Sequence, residues 1–260
     1  LTWGPNGQYI YIAELNRDQN HLKWAQYNPN SGLRIKTIYE ETNNKWVEPE
    51  YPIYFIPNKE NEFITLSERD GYMSLYHYNT AGKLIKKILE NKWVITKVLD
   101  VLENKIFFEG TGEDPRSVHA FSINIDGTEL KKITTEKGIH STQISPNHKF
   151  ILDQYSNSKT PGITQLINLE NFKTNLIHES ENPLDNYSIG KTEMLKITNS
   201  NNDELYGRLI KPLNFDENKK YPVLIYVYGG PHAQLVKNNW LNGASLWMYW
   251  MAQQGYLIFT

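Results

Sequence analysis

Residues 211–232 read KPLNFDENKKYPVLIYVYGGPH. The centre, 222–227, is a run of branched and aromatic residues, bounded by Pro222 on one side and by Gly229-Gly230-Pro231 on the other. A short apolar run between such breakers predicts a buried strand, of the parallel kind, leading into a sharp loop. Tyr228 stands at the end of that strand, where open α/β sheets place their chemistry. Upstream, 193–198 and 204–211 flank a turn at 199–203 and predict a hairpin. Downstream, 240–254 has the length and composition of a helix ended by Gly255, and 256–260 is a further β run.

Residues 1–180 follow a different pattern. Gly4-Pro5-Asn6-Gly7, Ile56-Pro57-Asn58-Lys59 and Ser145-Pro146-Asn147-His148 each precede an alternating β run, and Leu102-Glu103-Asn104 is a weaker copy. Two further strand candidates follow each turn. The period is roughly 45 residues with about four strands per unit, the spacing of propeller blades. Asp70-Gly71, Ala81-Gly82 and Asp126-Gly127 supply turns between candidates. The expected fold is mainly β: a partial β-propeller of about four blades of four antiparallel strands over 1–180, then the opening strands of an α/β domain over 193–260. The linker, 181–192, is where Asn, Pro, Asp and Ser cluster and the repeat ends.

Composition narrows the chemistry. Net charge is −2 and the lysines are interleaved with acids, the pattern of a solvated face and not of a nucleic-acid partner. Aromatic residues make up 13% of the chain, which suits pleated sheets. With no cysteine there is no disulfide, thiol nucleophile or thiolate metal site. The histidines other than His232 (His21, His77, His119, His140, His148, His178) have no metal-ligand spacing, so no metal is expected. No Walker loop and no Gly-x-Gly-x-x-Gly is present, and no cofactor is expected. Residues 1–5 lack the charged and apolar regions of a signal peptide and read as an entry in mid-domain.

Pro212, Phe215-Asp216, Lys219-Lys220-Tyr221-Pro222, the apolar strand and Tyr228-Gly229-Gly230-Pro231-His232 form a long ordered set. It resembles the start of the α/β-hydrolase domain in the prolyl oligopeptidase family of serine peptidases, most nearly the dipeptidyl peptidase IV branch. Residues 67–72 (SERDGY) and Leu75-Tyr76 resemble the propeller of that branch. The resemblance implies a chain holding the second half of an eight-bladed propeller and the first strands of the hydrolase. The parent enzyme would release Xaa-Pro or Xaa-Ala dipeptides from peptides with a free N-terminus through an acyl-enzyme. The parent is then expected to be a homodimer in the periplasm or at the cell surface. The glutamate pair that binds the free amine in that branch has no matching motif here. Two alternatives stay open: a non-catalytic propeller binding module or inactive homologue, and an acylaminoacyl or oligopeptidase relative.

Serine hydrolysis needs a Gly-x-Ser-x-Gly elbow, an acid and a histidine. The nearest approach, Gly243-Ala244-Ser245-Leu246-Trp247, lacks the second glycine, and Ser245 is expected to be a plain helix residue. In the resembled family the triad follows the region that Thr260 reaches, so the chain alone is expected to be inactive. Tyr228 corresponds to the tyrosine that donates its phenolic hydrogen to the oxyanion, a role that fits the charge developing on the carbonyl oxygen. Gly229 and Gly230 would let the backbone turn and approach substrate, or simply form a tight turn. His232 is not expected to be catalytic. Trp46 has two readings: packed between blades, which is expected, or lining the outer substrate cavity as the resemblance implies. Half a propeller leaves open strand edges, and the chain made alone is expected to associate.

Overall fold

The structure, a computed structural model, describes residues 1–230 and 233–260. The chain divides into two compact units, Leu1–Thr135 and Glu136–Thr260.

The first unit holds three four-stranded antiparallel sheets, each built from consecutive strands. The first comprises β1 (Thr2–Trp3), β2 (Ile10–Leu15), β3 (His21–Tyr27) and β4 (Arg34–Thr42). The second comprises β5 (Tyr54–Ile56), β6 (Lys59–Ser67), β7 (Ser74–Asn79) and β8 (Leu84–Lys87). The third comprises β9 (Ile95–Val101), β10 (Lys105–Gly110), β11 (His119–Asn124) and β12 (Lys131–Lys132). This is the blade pattern that the repeat predicts. The repeat turns lead into β2, β6 and β10, the second strand of each blade. The opening strands β1 and β5 escape the sequence pattern because they are only two and three residues long, and the seven-residue β9 is missed as well.

Successive side chains of a strand point to opposite faces, and the middle blade uses both. Phe63 of β6 joins Tyr76 and Tyr78 of β7 in a core shared with Trp24, Ile38 and Tyr39 of the first sheet. Ile64 and Leu75, one step out of phase, pack with Val98, Ile106, Phe108 and Phe121 of the third. Five consecutive residues of β7 are therefore buried, in a strand that would show alternation if one face were wet. Trp93 stacks on Phe121 with ring centres 5.0 Å apart, and a methyl group at Gly110 would lie 2.6 Å from that indole.

The second unit contains a further antiparallel sheet, β13 (Ile139–Ile144), β14 (Phe150–Ser156), β15 (Ile163–Asn168) and β16 (Thr174–Glu179). After it come β17 (Thr192–Thr198) and β18 (Glu204–Ile210), the expected hairpin, then β19 (Val223–Ile225), α1 (Leu246–Gln253) and β20 (Leu257–Phe259). These strands form a mixed sheet in the order β17-β18-β20-β19, with β19 parallel to β20. Met248, Tyr249 and Ala252 of α1 pack on Ile210 and Ile258 of the sheet.

The structure corrects two expectations here. The strand at 222–227 is parallel, but it is an edge strand and not a buried one: Val223 and Ile225 are 56% and 67% exposed, and only Leu224 joins the core. Among the described residues no strand pairs with its outer side. The helix expected over 240–254 is broken. A 3-10 turn over Trp240–Gly243 precedes α1, because Leu241, Asn242 and Gly243 all adopt positive φ. Ser245 is therefore the N-cap of α1 and not an interior residue; its backbone is extended. Gly255 ends α1 as expected, with amides 255 and 256 bonded to carbonyls 252 and 251.

Candidate functional site

The parallel pair β19–β20 sets the direction in which the chain leaves the sheet. Val223, Leu224 and Ile225 pair with Leu257, Ile258 and Phe259, and the Tyr226 amide extends the ladder by donating to the Phe259 carbonyl at 2.8 Å. Two residues later Tyr228 stands clear of the sheet at the carboxyl end of β19, with its side chain 61% exposed. Gly229 then has φ +69°, a left-handed conformation that costs a side-chain-bearing residue about 1–2 kcal/mol. A methyl group at Gly230 would lie 2.8 Å from Tyr228 Cε1, so the phenol ring folds back against the bare backbone of Gly230. The arrangement presents an O–H donor at the end of a parallel strand, on a turn that glycine permits. His232 lies outside the described residues.

Trp46 is not packed between blades. It is 53% exposed, with the Lys45 ammonium 5.9 Å from its ring centre. Its neighbour Val47 takes the buried position, held by a 2.7 Å bond from its amide to the Gln19 carbonyl. The strand-free segment after β4 turns one side chain in and leaves the larger one out. Ser245 sits at the helix N-cap and makes no capping bond there. Among the described residues no group of three or more His, Asp or Glu side chains gathers around a possible metal.

Two polar arrangements escape the sequence reading. In the first unit, Arg69 is surrounded by Tyr39, Tyr76 and Tyr78, its guanidinium carbon 4.6 Å from the Tyr76 ring centre. It donates to Glu41 Oε2 at 2.8 Å, to Tyr78 Oη at 2.7 Å, to Ser67 Oγ at 3.0 Å and also to Tyr39 Oη. Burial, reinforced by Glu41, pushes the Tyr39 phenol far above its usual range. In the second unit, Arg208 is only 1% exposed, on β18. The signal for it was available: Tyr206, Arg208 and Ile210 share one face of a strand, and Ile210 belongs to the core.

A cavity of about 580 Å³ also lies in the second unit, lined by Leu184, Tyr187, Trp240, Leu246 and Trp250 among others. Tyr228 is not part of its wall.

Comparison with known proteins agrees with the fold. The sequence pattern of the dipeptidyl peptidase IV (DPP IV) N-terminal region matches residues 1–162. Human dipeptidyl peptidase 8 is 25% identical over 98% of this chain and 35% of its own length. Among solved structures, a Bacteroides ovatus protein assigned as a dipeptidyl aminopeptidase IV superposes with a TM-score of 0.91 at 34% identity, covering the whole of this chain and 40% of that one. Porphyromonas gingivalis dipeptidyl peptidase 4 has the same fold, with a TM-score of 0.87 at 24% identity over 98% of this chain and 36% of that one. The chain thus spans about a third of the length of the curated relative it matches. With more than half of its residues inside that pattern, the chain belongs to the dipeptidyl peptidase IV N-terminal region family.

Proposed function

We propose that these 260 residues are part of a serine exopeptidase that removes Xaa-Pro and Xaa-Ala dipeptides from free peptide N-termini. The supporting observation is Tyr228, an exposed phenol at the carboxyl end of a parallel strand, on a glycine turn, in a chain whose relatives are dipeptidyl peptidases. In this reading the nucleophilic serine, its histidine and its acid are supplied by the parent protein outside these residues. The 260 residues contain no Gly-x-Ser-x-Gly and are inactive by themselves. The serine attacks the scissile carbonyl, and negative charge develops on its oxygen. Tyr228 donates its phenolic hydrogen to that oxygen, the acyl-enzyme forms as the amine leaves, and water releases the dipeptide. The blades restrict entry to slender peptide ends, and Trp46, exposed at the start of its segment, is placed in the outer wall of that entry. The parent is a homodimer of the periplasm or cell surface.

The experiment is Tyr228→Phe in the protein expressed at its full encoded length, assayed on chromogenic Xaa-Pro and Xaa-Ala substrates. A loss of about 10²–10³ in kcat with little change in KM is expected for removal of one oxyanion donor. An unchanged kcat sinks the role of Tyr228. Cleavage confined to substrates with a blocked N-terminus would move the protein to the acylaminoacyl relatives, and absence of any hydrolysis to a propeller binding module.

A further inference from the structure

Arg208 is a buried cation whose bonding partners among the described residues include no carboxylate side chain. Its guanidinium donates to the carbonyls of Leu235 (3.4 Å) and Asn242, to Thr260 Oγ1 (2.9 Å) and to Met248 Sδ (3.3 Å), while Nε has no partner among the described residues. Burial holds it below the usual guanidinium range. An apolar side chain of similar size would fill this position without the cost of desolvating a charge. What the charge does is visible in the backbone it holds. Leu241, Asn242 and Gly243 are three successive residues at positive φ, and a methyl group at Gly243 would lie 2.3 Å from the Leu235 carbonyl oxygen and 3.3 Å from Arg208 Nη1. Conformations of this kind persist only where the surroundings over-determine them. Arg208 supplies that, by binding a carbonyl at either end of the turn.

Across the mixed sheet, Leu209, Phe259 and Ile225 form one row. In the next row Arg208 exchanges 2.9 Å backbone bonds with Thr260, and the Tyr226 amide bonds to Phe259. Tyr226, two residues before Tyr228, is thus fixed by the same rows of the sheet that carry Arg208, and the side chain of Arg208 ties the 235–243 turn to those rows. We propose that Arg208 is a positioning residue for Tyr228: it ties the 235–243 turn to the sheet rows from which the Tyr228 segment leaves, and so keeps the end of β19 and its phenol in one place. The proposal rests on the oxyanion reading above.

Two readouts separate the clamp from that reading. In hydrogen exchange on the full-length protein, Arg208→Gln should speed exchange over 235–244 while leaving the β17–β18 hairpin unchanged, and Arg208→Lys should restore part of the protection. Equal exchange in all three overturns the clamp, whatever Tyr228 does. In turnover, Arg208→Gln should lower kcat about 10- to 100-fold with KM within about twofold, as expected of a misplaced catalytic group, and should cost nothing further in a Tyr228→Phe background. Losses that add in the double variant overturn the link to Tyr228. If Arg208→Gln does not fold, Gly243→Ala keeps the cation and wedges the turn open, and must give the same kcat loss with the same silence beside Tyr228→Phe. An unchanged kcat in Tyr228→Phe alone would instead sink the oxyanion reading, and with it the link to Arg208.

Discussion

His140 Nδ1 lies 2.9 Å from Asp153 Oδ1 across the β13–β14 pair, with both side chains wholly excluded from solvent. Nε2 of the same ring lies 2.8 Å from the Glu136 carbonyl, Gln165 donates to Asp153 Oδ2 at 2.8 Å, and Tyr155 stacks on the imidazole at 4.7 Å. Removing the carboxylate would leave the buried His140 Nδ1 and the Gln165 amide without their acceptor. Asp153→Ala should therefore cost about 3–5 kcal/mol, read by chemical denaturation, with exchange over β13 following the loss. Replacing both members, His140→Leu with Asp153→Leu, should cost less than Asp153→Ala alone, since no unpaired polar group is left behind. A single-variant cost below about 1 kcal/mol, the level of a surface pair, would contradict the assignment.

Arg69 joins two blades. Glu41 and Tyr39 come from β4, while Ser67, Tyr76 and Tyr78 come from β6 and β7. Glu41 is mostly buried and Arg69 about a quarter exposed, so Arg69→Ala should cost on the order of 2–3 kcal/mol, less than a fully buried pair. Arg69→Lys should recover only part of this, because an ammonium cannot fork between Glu41 and Tyr78 while lying flat on Tyr76. If the Arg69→Lys variant matched the parent in urea, the charge alone would matter.

The contrast between these residues explains how much the sequence discloses. Blades are legible because turn chemistry recurs at a fixed period and strands alternate, both local properties. Tyr228 is legible because its flank is an ordered motif. Arg69 takes Glu41 from 28 positions away, Asp153 takes Gln165 from 12 and Arg208 takes Thr260 from 52, and no local pattern announces those partners. The broken helix at 240–245 is hidden for the same reason: Leu241 and Asn242 hold positive φ only because the turn they belong to is tied to a distant strand. Trp46 and Val47 are both apolar, and which of them turns inward depends on a bond to Gln19.

His77 makes acid stability testable. Burial holds its imidazole below the usual range, against the opposing pull of Glu62 at 2.9 Å. The folded chain therefore prefers the neutral ring, and the unfolded chain takes up the proton first as pH falls. Stability should be level above the unfolded value of about 6.5 and decline as pH drops from there toward the lower folded value. Carboxylates held low, Asp70 by Tyr76 and Glu14 by Arg34, give up their share only in stronger acid. Between about pH 7.5 and pH 5 the melting temperature should thus fall for the parent and fall less for His77→Gln. Parallel declines in the two proteins would assign the effect elsewhere.

Gly230 separates the place of the Tyr228 phenol from the integrity of the fold. An alanine methyl there would sit 2.8 Å from Cε1 and 3.3 Å from Cζ of Tyr228. The ring is exposed, so it can swing away at little energetic cost, and the melting temperature should hardly move. The hydroxyl, however, would leave its position. If that position is where an oxyanion forms, Gly230→Ala in the full-length protein should lower kcat by about 10- to 100-fold with KM nearly constant, as a misplacement of about 1 Å does. Gly229→Ala makes the opposite test, since no atom lies within 4 Å of the added methyl and the strain is all in the backbone. It should destabilise the loop by about 1 kcal/mol and reach turnover only through that shift. A Gly230→Ala protein that hydrolyses dipeptidyl substrates at the parental rate would mean the ring can move without consequence, and an oxyanion donor cannot.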